Sequence, residues 1–193
     1  VKEAMRETAA LLRPDALVLS IVAGLTVAEL EAAYPNHPVV RAMPNTPLAV
    51  GAGMSAYARG THADAAVCAT VEAVLGAAGR TVEVHESDLD AVTGLSGSGP
   101  AYAFLVLEAL IEGGVAAGLK RETASLLAAQ TLLGAAQMAL TAEHSPADLR
   151  AAVTSPAGTT AAGLRVLERT GMRSAFMEAV LAATKRSQEL GER

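Results

Sequence analysis

Aromatic residues are scarce in this sequence: they make up 3% of its 193 residues, and tryptophan is absent. A core without them has to be built from small and branched aliphatic side chains, and Ala, Leu and Val supply most of the 51% that is hydrophobic. That makeup suits helices packed at close range. Cysteine occurs once, at Cys68, which excludes an internal disulfide and a thiolate metal site. Cys68 lies in an Ala/Val-rich run and reads as a small core residue. The four histidines, His37, His62, His85 and His144, have no ligand-like spacing, so no metal is expected. There is no cluster of Lys or Arg, and the formal net charge is −5, which argues against nucleic acid or an anionic membrane as partner. The longest unbroken apolar run, Ala101 to Leu107, stops at Glu108, well short of a membrane span. No signal peptide precedes the first helix, and the chain reads as cytoplasmic. Also missing are a Ser/His/Asp order, a Cys/His pair, a G-x-x-x-x-G-K-[ST] loop and a carboxylate cluster with metal spacing.

What is present is an alternation of strands and helices over the first 85 residues. A helix over 2–12 is followed by a continuous apolar run, Ala16 to Val22, with the pattern of a buried parallel strand. Thr26 and Glu29 form a capping box for a short helix ending near Ala33. Pro38 to Met43 reads as a second strand closed by Pro44-Asn45-Thr46-Pro47, and Gly51 to Ala58 as a third. A helix over 62–78 then precedes a strand from Arg80 to Val84. This order predicts an α/β layer with a mostly parallel sheet, resembling the back half of such a fold. After His85 the strand pattern disappears. Helices are predicted over 89–118 with a break at Gly97 to Pro100, then 121–140, 147–153, a stretch ending near Arg169, and 173–190. Residues 101–117 are apolar nearly all round, relieved only by Glu108 and Glu112. Such a helix is buried on every side, and a partner subunit is expected to cover it. The boundary between the two parts falls near residue 86.

Chemistry is suggested first by S-P-A-G-T-T, Ser155 to Thr160. Pro156 suits the first turn of a helix, and Gly158 lets another group approach the backbone. Thr159 and Thr160 offer hydroxyls and backbone N–H groups at the positive end of that helix, which binds a carboxylate or a phosphate. The plainer alternative is an ordinary capped helix start. A second glycine-rich run, G-L-S-G-S-G-P, follows a helix rather than a strand, so a kink with close packing suits it better than a phosphate loop. Val22-Ala23-Gly24 and the turn holding Asn45 lie at the carboxyl ends of predicted strands, where open α/β sheets bind ligands. Small residues also occur there without a ligand. Glu86 and Glu143 stand at element ends, either as solvated caps or as acceptors for a substrate ammonium or hydroxyl group.

Three runs occur together: R-A-M-P-N-T-P (Arg41 to Pro47), D-A-V-T-G-L-S-G-S-G-P-A-Y (Asp90 to Tyr102) and V-T-S-P-A-G-T-T (Val153 to Thr160). In their order and spacing the chain resembles the pyrroline-5-carboxylate reductases, the last enzymes of proline biosynthesis. The resemblance implies a Rossmann domain binding NADPH or NADH, and a helical domain that interlocks with a second copy into a homodimer, often within larger rings. It implies hydride transfer to the C=N bond of 1-pyrroline-5-carboxylate, giving L-proline. On that likeness residues 1–85 form a partial Rossmann domain lacking its G-x-G-x-x-G unit, and 86–193 a helical dimerisation and substrate-binding domain. The resemblance gives the backbone of Gly158, Thr159 and Thr160 the substrate carboxylate, and the hydroxyl of Thr160, the catalytic candidate, the ring nitrogen. It places Glu86 and Glu143 in the substrate pocket, Ile21, Val22, Ala23 and Gly24 against the cofactor, and Asn45 beneath the nicotinamide. Ala157 departs from the glycine usual there. Without a phosphate loop the chain is expected to bind dinucleotide poorly, and its sheet edge is exposed. The alternatives are a catalytically incomplete fragment that only dimerises, or a related reductase of another imine or keto acid.

Overall fold

The computed structural model describes residues 2–141 and 143–191. They fall into two compact units, one made of the chain to Pro100 together with the stretch from Glu178 onward, the other of Ala101–Met177. Strands β1 (Val18–Ser20), β2 (Val39–Pro44), β3 (Gly53–Arg59) and β4 (Gly79–Glu83) form one sheet in the order β1-β2-β3-β4. The helix α1 (Lys2–Ala9) precedes β1, α2 (Val27–Ala33) links β1 to β2, and α3 (Ala65–Gly76) links β3 to β4. The pairs β1–β2 and β3–β4 are parallel.

The middle pair, β2–β3, is antiparallel, with Ala42 opposite Tyr57. The expected parallel sheet is therefore mixed. The reason is chain length: residues 45–52 hold only a 3-10 turn, Thr46–Val50, closed by Gly51 at φ +72°. A parallel return needs a crossover of about a dozen residues or more. The strand expected over 16–22 is also shorter, because β1 lies at the sheet edge and only Val18–Ser20 find partners on β2. With these corrections the fold class stands, an α/β sheet unit followed by helices.

Alternation along the strands sends side chains to both faces. Val39 packs with Met5, Leu25, Val27, Leu30 and Tyr34. Its neighbour Val40 points the other way, with Ala42 and Tyr57, into Ala63, Cys68 and Val71 around α3. Ala56 and Ala58 meet Leu89. Cys68 is thus the small core residue its setting suggested. Tyr57 is fully buried, and its hydroxyl donates to Glu72 Oε1 at 2.6 Å. Burial, and then that bond, push its phenol well above the ordinary tyrosine value.

From Glu86 the chain runs helically to Ala116. A 3-10 turn, Glu86–Asp88, leads into α4 (Leu89–Val92), a π-helical turn (Thr93–Gly97) and α5 (Gly99–Ala116). The run G-L-S-G-S-G-P is therefore a π-turn with close packing. A Cβ on Gly94 would stand 2.7 Å from Val180 O and 2.9 Å from Thr184 N.

The second unit holds most of α5 with α6 (Arg121–Thr141), α7 (Pro146–Ala152), α8 (Thr159–Arg169) and the start of α9 (Met172–Gly191). Gly118, at φ +101°, turns α5 into α6, and Arg121 pairs with Glu112 across that turn at 2.8 Å. Among its described residues only Ala124 and Ala128 are buried. Phe104, Leu105 and Leu126 are 61%, 66% and 71% exposed. The remainder of α9, from Glu178, belongs to the first unit. The chain passes from one unit to the other after Pro100 and again after Met177.

Candidate active site

Because β1 and β2 are parallel, their carboxyl ends open at the same side of the sheet. The turn Ile21–Gly24 follows β1 there, and Asn45 follows β2. Ile21 and Val22 are 58% and 40% exposed. Gly24 takes φ +80°, a conformation that side-chain-bearing residues adopt at a cost. A small-residue turn and an apolar ledge at this end of the sheet fit a flat, partly apolar ring such as a nicotinamide.

Glu86 is more than a surface cap. Its Oε1 accepts from the first backbone N–H of α2, Val27 N at 2.6 Å, and from Arg41 Nη1 at 3.0 Å. It joins the start of the long helical run to β2 and to the α2 terminus, whose own cap is the predicted Thr26–Glu29 box. The Arg41 side chain is 13% exposed, so this ion pair is partly desolvated. The Asn45 side chain is used at both ends: Oδ1 accepts from Met54 N at 2.8 Å, and Nδ2 donates to Ser96 O at 3.2 Å. It ties the end of β2 to β3 and to the π-turn.

In the second unit, Ser155–Gly158 is a tight turn in which Gly158 N donates to Ser155 O at 3.1 Å. Pro156 sits in this turn, ahead of the helix and not in its first turn where the sequence puts it, and α8 begins at Thr159. A proline followed by a residue at positive φ is the type II arrangement, which favours glycine at the later position. Here that residue is Ala157, the only described non-glycine residue at positive φ, +57°. A Cβ on Gly158 would collide with the Ser155 hydroxyl.

Gly158 is the N-cap and supplies no side-chain cap, and the first helical bond runs from Ala162 N to Gly158 O. Among the described residues, the N–H groups of Thr159, Thr160 and Ala161 have no hydrogen-bond partner. The Gly158 N–H is engaged inside the turn. The exposed Thr159 and Thr160 therefore offer unused donors at the positive end of an eleven-residue helix.

Glu143 is exposed in the bend before α7. Next to it Ser145 and Asp148 form a capping box, and hydrogen bonds from Ser145 hold the Asp148 carboxyl below its ordinary value. Arg150 of α7 pairs with Glu168 of α8 at 3.5 Å. The first unit thus brings Ile21, Val22, Ala23, Gly24 and Asn45 to one end of the sheet and sets Glu86 against Arg41 and the α2 terminus, while Glu143, Gly158, Thr159 and Thr160 belong to the second. The partners of Glu86 and Asn45 lie far away in sequence and could not be read from it.

A strand-end turn on an α/β sheet, followed by helices that carry an uncapped helix start, defines a two-part protein with an α/β layer and a helical unit. The family model for pyrroline-5-carboxylate reductase dimerisation matches residues 86–190. A pyrroline-5-carboxylate reductase of Synechocystis sp. is 51% identical over 177 residues, spanning 92% of this chain and 66% of that protein. One from Arabidopsis thaliana is 46% identical, covering 100% of this chain and 70% of its own length. The pyrroline carboxylate reductase of Plasmodium falciparum, solved with NADP bound, superposes with a TM-score of 0.90 at 33% identity, over 98% of this chain and 77% of that one. The enzyme of Coxiella burnetii gives 0.91 at 40% identity, over 98% and 71%. The chain belongs to the pyrroline-5-carboxylate reductase family. It spans about two thirds of the length of the relatives it matches, 66% of the Synechocystis protein.

Proposed function

We propose that this chain acts in the reduction of 1-pyrroline-5-carboxylate to L-proline by NADPH or NADH, as an oxidoreductase of the C=N bond in proline biosynthesis. The observation that carries this reading is the uncapped start of α8, where the free N–H groups of Thr159 and Thr160 meet an exposed threonine hydroxyl. A cyclic imino acid presents a carboxylate beside a ring nitrogen. The two N–H groups bind the carboxylate, aided by the helix dipole. The Thr160 hydroxyl accepts from the protonated ring nitrogen and holds it as the carbon beside it gains hydride. Glu143 supplies negative charge for the same cation. When bound, the dinucleotide supplies that hydride from its nicotinamide ring, and Ile21, Val22, Ala23 and Gly24 would hold it. Asn45 and Glu86 then act by position: both side chains are engaged inside the α/β unit, and they set the turn and the α2 terminus around the cofactor.

The helical unit is read as the subunit contact of a homodimer or a ring of dimers. Two helical stretches, Glu86–Ala116 and Arg121–Thr141, are long and apolar enough to cross a membrane by length and composition. Both lie within the matched dimerisation region, and the Glu112–Arg121 pair stands at the turn between them. These features favour a second copy over lipid as their cover. We place the enzyme in the cytoplasm.

Oxidation of NADPH by the purified chain with 1-pyrroline-5-carboxylate, beside an enzyme-free control, tests this function. Substrate-dependent turnover, with a panel of other imines and keto acids reduced more slowly, is expected. A stable dimer without turnover would instead support a dimerising module, and preference for another imine a related reductase.

A further inference from the structure

We propose that the C-terminal half of α9 is a strap that fixes the Ile21–Gly24 turn, with Ser187 as the positioning residue that fastens it. This rests on the reading of that turn as the cofactor contact. Three contacts lie along one face of the helix. Val180 and Thr184 press against Gly94 in the π-turn, where no side chain would fit. Ser187 Oγ donates to Asp90 Oδ1 at 2.6 Å. One turn further on, the helix end abuts the glycine turn: a Cβ on Gly24 would lie 3.4 Å from Leu190 O and 3.7 Å from Gly191 Cα. Positions 180, 184, 187 and 191 follow the spacing that puts side chains on a single helix face.

The turn needs such a support. Among the described residues, the backbone of Ile21–Leu25 donates one hydrogen bond, from Val22 N to Ser20 Oγ at 3.3 Å. Its flank is a cavity of about 390 Å³, lined by Gly24, Thr26, Arg41, Asp90, Gln188 and Gly191. Ser187 thus fastens the helix to Asp90 in the wall of that cavity, through a hydrogen bond to a carboxylate, a stronger class than a neutral pair. The matched dimerisation region includes this part of α9. On the present reading its tail also serves the α/β unit, by limiting how far the cofactor turn can open.

Hydrogen exchange and NADPH titration on the complete chain test the strap, with Ser187→Ala and Ser187→Thr as variants. Ser187→Ala should speed amide exchange about tenfold at Val22 and Thr26, the hydrogen-bonded amides of the turn and its exit, as loss of a charge-assisted bond implies. Exchange in β2 and β3 should stay unchanged. NADPH affinity should fall several-fold in the same variant, and Ser187→Thr, which keeps the hydroxyl, should restore both. Unchanged exchange at the turn overturns the strap. Faster exchange with unchanged NADPH affinity overturns its role toward the cofactor. If the unmodified chain takes up no NADPH, the cofactor reading itself fails and that role falls with it, while exchange still decides whether Ser187 fastens the turn.

Discussion

The α/β unit and the helical unit draw on the same small aliphatic residues, yet only the first encloses them. In the sheet unit Leu30, Val39, Val40, Tyr57, Val71 and Leu89 are fully buried, because layers of helix cover both faces. In the helical unit Leu105, Leu126 and Leu133 face outward, and burial is confined to two alanines among the described residues. Helices this apolar gain little from packing on one another in a single chain; they gain from a surface that completes them. One unit buries its core within the chain, while the other leaves apolar faces open, as the proposed subunit contact requires.

The contrast breaks most visibly if charge is placed on the open face. Leu105→Glu with Leu126→Glu should raise the dimer dissociation constant at least a hundredfold, since each lost leucine forfeits about 2 kcal/mol of burial and a two-fold contact counts it twice. Sedimentation of the double variant would show it, and an unaltered dimer would remove these leucines from the contact. The matching change in the other unit acts on stability alone. Leu30→Ala should cost about 3 kcal/mol in denaturant unfolding while leaving the oligomer intact.

Thr160→Ala probes the helical unit's chemistry, and kcat/KM should fall roughly ten- to a hundredfold, the worth of one hydrogen bond to a charged group. An unchanged rate in steady-state assays would take the hydroxyl out of the mechanism. In the sheet unit, Tyr57 gives a smaller, pH-dependent effect. Its phenol is raised above the ordinary 10.0 in the folded state, so unfolded chains lose this proton first. The neutral buried phenol contributes in full below pH 10.0, and that contribution fades as pH climbs toward the folded value. An absorbance titration should find one of the three tyrosines resisting ionisation until the chain unfolds. The smallest effect is expected at the turn before α8. Ala157→Gly removes a left-handed alanine that costs about 1–2 kcal/mol, against an entropic loss of about 0.4–1 kcal/mol. A net gain in melting temperature should follow, and a loss would mean Ala157 is unstrained.

Local signals carried much of this into the sequence. The Thr26–Glu29 capping box, the order of strands and helices, and the all-apolar α5 are patterns within one or two turns of chain. The antiparallel step between β2 and β3 was also legible in principle, because the connection over 45–52 is too short to cross back, but the buried apolar runs alone suggested parallel neighbours. Pro156 misled for a local reason: it is a good first-turn residue and an equally good turn residue, and Ala157 at positive φ decided for the turn. Long-range pairings left no local mark. Glu86 meets Arg41 and the α2 terminus, Asn45 meets Ser96, and Ser187 returns to Asp90. None of these can be read from spacing, and together they separate residues that hold the site's shape from those left free to touch a ligand.

The most direct test of the contrast between the two units is sedimentation equilibrium of the unmodified chain over micromolar concentrations. A dimer with no measurable monomer is the predicted result, because the apolar faces of α5 and α6 have no other cover among the described residues. A folded, soluble monomer across that range would contradict it, and would mean that the helical unit is stable with those faces in water.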